Sequence, residues 1–552
     1  MITRGKSGHL KPITRLNLLH SLPAAENQSA PSSYTEASKS SEWRRAMADE
    51  FYALQTQGTW SLVPLPPNAS VLGSRWTYRL KHNSDGSIAK HKARLVAQGN
   101  HQEYGLDYTE TFSPVAKLPT IRILLTVALH HDWSVHQLDV ANAFLHGSLE
   151  ETVYMRQPQG FVDVAHPNHV CLLQKAIYGL KQAPRQWYNT LTSYLLELGF
   201  HHSKSDPSLL IFHKCNIRLF LIIYVDDLLL TGNEVSAIGT IIRQLQQKFH
   251  MKILGQVNSF LGIQISRQPD HYFLSQHAYA RSILQLANLT NCKPLSNPTC
   301  TKLPQSYQAD PILADPAMYR RITGSLQYLT LTRPDISFSV NLLSQHMHSP
   351  QPQHSYLLKR LLRYIQGTIN FGIPILKTNL QLSAYSDADW AGDPISRKST
   401  SGYCSYLGQT LISWTVKKQT TVARSSTESE YRSLAALAAD VIWIRRVLAD
   451  FGIDQVQPTD IYCDNTSAIA LANNPVFHAR TKHIEIDHRF VRDHVQQGTI
   501  RILPISTKDQ LADILTKPLS TPRFHALRLK LNVFQDPSVS GGILEHKNKA
   551  IT

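Results

Sequence analysis

Asp226 and Asp227 stand side by side in LFLIIYVDDLLLTG (residues 219–232), between two apolar runs that read as strands. Aspartate is disfavoured in strands and favoured in turns, so a hairpin tip is the plain expectation. A two-residue tip normally draws a glycine for its positive φ. Val225-Asp226-Asp227-Leu228 has none. Adjacent carboxylates also repel each other unless a cation lies near. The pair therefore points to a metal site at a strained turn. A third carboxylate, Asp139 in SVHQLDVANAFLHG, ends a strand-like run about 90 residues earlier. Alone, Asp139 would read as a helix N-cap.

Four more acids recur at long range: Asp387 in AYSDADWAGD, Glu430 in STESEYRSLAAL, Asp464 in IYCDNTSAI and Asp513 in QLADILTKPL. Each has an ordinary explanation. Thr427 and Glu430 have capping-box spacing at the head of an Ala-rich helix expected over 428–450. Asp464 could cap SAIALANN, and Asp513 could face solvent from a short helix. Asp389 and Asp393 compete with Asp387, which is preferred because it directly ends its strand. What four separate caps do not explain is the order strand-Asp, helix-Glu, strand-Asp, helix-Asp.

The elements that must position these acids form a mixed pattern. Residues 1–40 are polar and rich in Ser, Ala and Pro, and read as a linker. A helix is expected at SEWRRAMADEFYALQTQGTW, with Trp43, Met47, Phe51 and Leu54 on one face and Gly58 as its stop. Strands and helices alternate from about 73 to 275, the mark of an α/β (α+β) body. The stretch 290–316 carries five prolines and reads as a hinge. Helices are expected at 318–348 and 353–367, strands from about 380, and order fades after about 533. There is no internal repeat.

The 552 residues suggest three or four domains at about 150 residues each. With 56 Lys+Arg against 40 Asp+Glu, the net charge is +16 and the pI near 9.4. Such an excess favours a nucleic-acid partner through phosphate contacts and counterion release, although a generically basic surface would give the same numbers. The six cysteines are scattered without a C-x-x-C pair, against a structural zinc site or disulfide framework. No apolar run is long enough to span a bilayer, and the amino terminus lacks a signal peptide's apolar core. The expectation is a soluble, membrane-free protein, cytoplasmic in a virus-like-particle context or nuclear.

LDVANAFLHG, KAIYGLKQAPRQWY and YVDDLLLTG occur in the order and spacing of the reverse transcriptase of copia-type LTR retrotransposons, which the chain closely resembles over most of 42–290. RWTYRLKHNSDGSIAKHKARLVAQG and YTETFSPVAKLPTIRILL resemble that family's fingers and entry to the palm, and FLGIQI (260–265) its primer-gripping hairpin. The later acids and their neighbours are similar to ribonuclease H of the same family over about 380–531. The resemblance implies a right-hand polymerase fold (fingers, palm with a ferredoxin-like sheet, thumb) followed by a ribonuclease H-like mixed-sheet domain. The implied division is a disordered linker over 1–40, fingers and palm over 41–285, thumb or connection over 286–375, the ribonuclease H-like domain over 376–532 and a disordered tail over 533–552.

It also implies chemistry. Nucleotidyl transfer needs hard divalent cations about 4 Å apart on oxygen ligands, Mg²⁺ with Mn²⁺ as an alternative. Asp139 and Asp226 would bridge them and Asp227 would support. Asp387, Glu430, Asp464 and Asp513 would hold a second pair beside an RNA–DNA hybrid. Arg94 resembles the fingers arginine on the incoming triphosphate, with Lys90 and Lys92 adding charge; a solvated basic strand is the alternative. Phe144 stands where an aromatic meets the sugar and selects deoxynucleotides, ordinary core packing being the alternative. Gln182 resembles a glutamine that contacts nucleotide and template, and Tyr224 would pack near the primer terminus.

Implied partners are an RNA template, a DNA primer, their hybrid, dNTPs and other products of the retrotransposon polyprotein; a dimer is one working form left open. Two departures stand out. STKDQLAD lacks the histidine many ribonucleases H carry before the last aspartate, and Arg489 precedes Phe490 where the family usually shows histidine. His478, His483 and His488 form no zinc spacing. With no zinc knuckle, protease or integrase upstream, the expectation is the carboxyl-terminal part of a longer polyprotein, or a truncated insertion. A decayed or co-opted copy that binds nucleic acid without catalysis competes with the enzyme, but a drifting copy should lose some of seven acids. A general RNA-binding scaffold would need Gly-rich or aromatic repeats, which are missing.

Overall fold

The computed structural model describes residues 30–82, 87–304, 310–474 and 485–536. The chain is a mixed α/β protein whose described residues form two compact units, one drawn from 30–120 and 133–257, the other from 121–132 and 258–536. The described residues of 286–375 and 376–532 fall in the same unit. The proline-rich 290–304 is part of the packing rather than a loose hinge. Asn297 is buried and its Nδ2 donates to Leu519 O at 2.8 Å, while Arg360 Nε donates to Thr299 O at 2.9 Å. Residues 305–309 of the expected hinge lie outside the described residues, as do 1–29 and 537–552.

The first unit centres on a six-stranded antiparallel sheet in the spatial order Met251–Gln256, Val135–Val140, Asp227–Gly232, Ile217–Tyr224, Leu209–Lys214, Phe200–His202. Leu219, Leu221, Ile223, Leu228 and Leu230 alternate along the two central strands and share a core with helices Ala183–Glu197 and Val235–Lys248. Those helices contribute Trp187, Leu191 and Leu195, and Ile238, Ile241, Ile242 and Leu245, at helical spacing. Truncating one such buried leucine to alanine costs about 2–5 kcal/mol.

The helix read from Trp43, Met47 and Leu54 runs from Ser41 to Thr56, with Ser40 Oγ accepting from Trp43 N and Gly58 at φ +62 just beyond. It packs against the ribbon Ser74–His82/Ile88–Ala97. Within the expected linker, Tyr34–Ala37 instead forms a short helix capped by Ser33, with Ala37 buried.

The second unit holds a five-stranded sheet ordered Thr410–Lys418, Thr400–Leu407, Leu382–Ala388, Thr459–Cys463, Ile500–Pro504. The first three pair antiparallel, and the last two run parallel to Leu382–Ala388. A 25-residue helix, Ser426–Asp450, lies on it. The helix expected over 318–348 is broken into Pro316–Leu329 and Ser337–Ser344. Pro334 supplies no N–H and disfavours helix at Arg333, and the break buries an Arg333–Asp335 pair that also receives the Tyr364 hydroxyl at 2.6 Å. FLGIQI is a hairpin whose turn residues Leu261 and Gly262 both take positive φ, +53 and +68. Beyond 533 a short strand, Phe534–Gln535, still pairs with Phe371–Gly372. No helix among the described residues is long and apolar enough to cross a membrane.

Candidate active sites

Asp139 and Asp227 face each other in register on neighbouring antiparallel strands. The hairpin joining Ile217–Tyr224 to Asp227–Gly232 turns on two residues, Val225 and Asp226. Val225 takes φ +56, a left-handed conformation that strains a β-branched residue. Surrounding bonds hold it there: Trp187 Nε1 donates to Val225 O at 2.6 Å, and Val140 N donates to Asp226 O at 2.9 Å. The turn thus sets three acids at one strand end. Burial raises the pKa of Asp226, and the Asp139 charge adds to it. Burial together with the Asp226 and Asp139 charges pushes Asp227 up to about 6, against a hydrogen bond from Gln137. A bound cation would relieve the repulsion among these carboxylates, which Arg94 and Lys92 offset only in part at Asp226.

Burial lowers Lys92 to about 8, aided by the Arg94 charge, while Glu50 and Asp139 act the other way. The Arg94 guanidinium stacks 4.2 Å from the centre of the Tyr178 ring, whose far neighbour Phe144 lies edge-on at 4.9 Å. Phe144 is half-buried and Tyr224 likewise; the Tyr224 hydroxyl is raised by burial and by Asp227 and Asp226. Gln182 is placed differently from the expectation of a direct nucleotide contact. Its side chain is fully buried, donates to Asp107 O at 2.9 Å and accepts from Gln102 Nε2 at 3.0 Å.

In the second unit Asp387, Glu430 and Asp464 each bring a carboxylate oxygen within 4.8 Å of the others. Among the described residues no other three His, Cys, Asp or Glu converge so closely, Asp139, Asp226 and Asp227 included. Asp387 is the penultimate residue of its strand, and Ser433 Oγ, one turn beyond Glu430, donates to Asp387 O at 2.9 Å, seating the helix beside it. The capping explanations for Glu430 and Asp464 do not hold: the caps are Ser425, which accepts from Glu428 N, and Asn465, which accepts from Ala468 N. Asp389 and Asp393 are also otherwise engaged, by Thr400 N and by Lys418.

Burial raises both Asp387 and Glu430; the Lys517 charge opposes it at each, while Asp513 and Asp464 add to it at the former and Asp387 and Asp464 at the latter. Glu430 Oε2 and Asp464 Oδ1 are buried without a hydrogen-bond partner. Buried orphan oxygens on converging carboxylates fit a hard divalent cation.

Asp513 is buried rather than facing solvent, but it stands outside the trio. Lys517 Nζ lies 2.7 Å from Asp513 Oδ1 and 3.3 Å from Asp387 Oδ2, and Arg523 pairs with Asp513 Oδ2. Gly402, opposite Asp387 in register, lets the short helix Asp513–Thr516 approach: a Cβ there would meet Thr516 Cγ2 at 2.6 Å and Leu515 Cβ at 2.8 Å. Arg489 is exposed on helix Glu485–Gln496, 3.9 Å from Asp493, while His488 is buried. His478 and His483 lie outside the described residues.

The family model Reverse transcriptase (RNA-dependent DNA polymerase) matches residues 57–301. Over 539 residues, 97% of the chain, the sequence is 48% identical to the retrovirus-related Pol polyprotein from transposon RE1 of Arabidopsis thaliana. It is equally similar, 48% over 546 residues and 99% of the chain, to that from transposon RE2 of the same plant. A 298-residue stretch, 53% of the chain, is 31% identical to 97% of a Ty5-1 transposon protein of Saccharomyces cerevisiae. The chain belongs to the copia-type retrotransposon Pol family. This copia-type chain spans 37% of the length of the RE1 and RE2 polyproteins, and the matched family segment contains Asp139, Asp226 and Asp227.

Sequence reasoning missed several residues of both sites. Tyr178 lies inside KAIYGLKQAPRQWY, and its aromatic face was available to any nearby cation. Lys517 follows Asp513 by four residues, a charge spacing that pairs on a helix and was legible in ADILTKPL. Gln137 and Trp187 carry no sequence signal for their contacts, which exist only once distant strands and helices meet.

Proposed function

We propose that this copia-type chain synthesises DNA on RNA and DNA templates at Asp139, Asp226 and Asp227, and cleaves the RNA of the resulting hybrid at Asp387, Glu430, Asp464 and Asp513. The register that sets Asp139 opposite Asp227 beside a strained YVDD turn, in a chain of this family, supports the first activity most directly. The converging trio with its orphan oxygens supports the second. On this reading residues 41–285 are fingers and palm, 286–375 thumb or connection, and 376–532 the ribonuclease H-like part.

Asp139 and Asp226, with Asp227 in support, would hold the cations of the first site, and Asp387, Glu430 and Asp464 those of the second. Bound Mg²⁺ would make the attacking oxygen nucleophilic and neutralise charge developing on phosphate. The chain's own groups then do the positioning. Arg94 and Lys92 would bind the triphosphate, Arg94 held flat by the Tyr178 ring. Phe144 would close against the sugar and exclude a 2′-hydroxyl, and Tyr224 would border the primer end. Gln182 would brace this wall through Asp107 and Gln102. The +16 charge would retain template, primer and hybrid through phosphate contacts, so binding should weaken steeply with salt.

The test is extension of a DNA primer on poly(rA) by the purified protein with Mg²⁺. The parent should extend and Asp226→Asn should not. A parent that binds primer–template and adds no nucleotide would instead identify a copy that only binds.

A further inference from the structure

The fourth carboxylate of the second set is already paired with two side-chain cations. Asp513 Oδ1 meets Lys517 Nζ at 2.7 Å, and Asp513 Oδ2 meets Arg523. Lys517 also reaches Asp387 Oδ2, at 3.3 Å, so its ammonium bridges the two carboxylates. Asp387 is at the same time a member of the trio with Glu430 and Asp464. Its carboxylate therefore neighbours both an ammonium and two orphan-bearing acids, Glu430 and Asp464. Two-cation sites place their ions about 3.5–4 Å apart around shared carboxylates.

We infer that Lys517 occupies the cation position between Asp387 and Asp513, so that the second carboxylate set takes one divalent ion at Asp387, Glu430 and Asp464 and admits another only when the ammonium leaves. The inference rests on reading those acids as a metal site. An ammonium already neutralises the Asp387–Asp513 pair, and a divalent ion entering beside it would meet a like charge at contact distance. The Lys517 side chain is 36% exposed, so it has a way out toward solvent. A phosphate placed against the site would give the ammonium a new anionic partner, coupling entry of the second ion to arrival of the nucleic-acid backbone. Arg523 would remain to hold Asp513 in place. Lys517 is thus a positioning residue that stands in for an ion until substrate arrives.

The test counts Mn²⁺ bound to the full chain by the loss of the free-ion electron paramagnetic resonance signal. All samples carry Asp226→Asn and Asp227→Asn to silence the first carboxylate set. With Lys517 intact, one tightly bound ion is expected; Lys517→Arg should also bind one. Lys517→Met and Lys517→Gln should each bind two, the second at least about ten-fold tighter than any second ion of the Lys517 sample, because a like charge has been removed. Two equally tight ions with Lys517 intact would overturn the inference without any Lys517 variant. So would a single ion in both Lys517→Met and Lys517→Gln, each shown by circular dichroism to be folded. Adding Asp464→Asn separates the layers: if it fails to lower the count, the metal-site reading itself has failed, whereas a drop alongside unchanged Lys517 variants removes only the role of Lys517.

Discussion

Asp464→Asn removes one negative charge from three carboxylates whose oxygens lie within 4.8 Å of one another. At that distance, with an effective dielectric constant of about 20, two unit charges repel by about 3.5 kcal/mol. Burial and the neighbouring charges raise the pKa of Asp387 and Glu430, so proton uptake relieves part of this repulsion. Asp464 is also only half-buried, which screens it further. A net gain of about 1–2 kcal/mol for the metal-free protein follows. The new amide can also donate to the neighbouring carboxylates, where Asp464 Oδ1 had no partner. The melting temperature in EDTA should therefore rise by about 1–3 °C, the unfolding entropy of a unit this size being large. Added Mg²⁺ should stabilise the parent and do much less for the variant, reversing their order. Differential scanning calorimetry of both proteins, with and without the ion, reads all four values. An Asn variant that melts lower than the parent in EDTA and gains the same Mg²⁺ shift would refute the reasoning.

Four further outcomes follow from the same geometry. Between the ordinary carboxylate value of 3.8 and its folded value of about 6, Asp227 holds more protons folded than unfolded. Its stabilising share is complete below that window and lost as pH rises through it, so the metal-free melting temperature should climb from pH 8 to pH 5 and Mg²⁺ should flatten the climb; a flat metal-free profile would contradict this. Val225→Gly should stabilise by about 0.5–1 kcal/mol in a denaturant melt, relief of the positive φ exceeding the added chain entropy; a loss would show the turn unstrained. Gly402→Ala should cost about 1–3 kcal/mol through overpacking and suppress hybrid cleavage while primer extension persists, since the new Cβ drives the Asp513 helix from Asp387; equal loss of both activities would oppose it. Phe144→Ala should raise ribonucleotide incorporation in single-nucleotide extension assays, and unchanged sugar discrimination would remove Phe144 from the sugar wall.

What the sequence made legible was local. Periodicity located the Ser41–Thr56 helix to within a residue or two, and the absence of glycine in Val225-Asp226-Asp227-Leu228 announced the strained turn that Val225 adopts. Strand-ending acids could be picked out because a carboxylate at the edge of an apolar run has few ordinary uses. What stayed hidden depended on which partner a side chain found. Thr427 and Glu430 had capping-box spacing, yet the cap went to Ser425, two residues earlier, because the helix begins at Ser426. Asp464 could have capped the next helix, but the cap is Asn465, one residue later. The proline-rich stretch looked like a hinge by composition, but composition does not report the Asn297–Leu519 and Arg360–Thr299 bonds that tie it down. Gln182 and Lys517 owe their surroundings to residues far off in sequence or to a tertiary approach that no spacing rule contains.

The most direct measurement of the central claim, two separate carboxylate centres in one chain, is a paired assay of primer extension and hybrid-RNA cleavage on the parent, Asp226→Asn and Asp464→Asn proteins. Asp226→Asn should abolish extension and leave cleavage intact, and Asp464→Asn should do the reverse. Loss of both activities from either single change, in a protein that remains folded, would contradict the account.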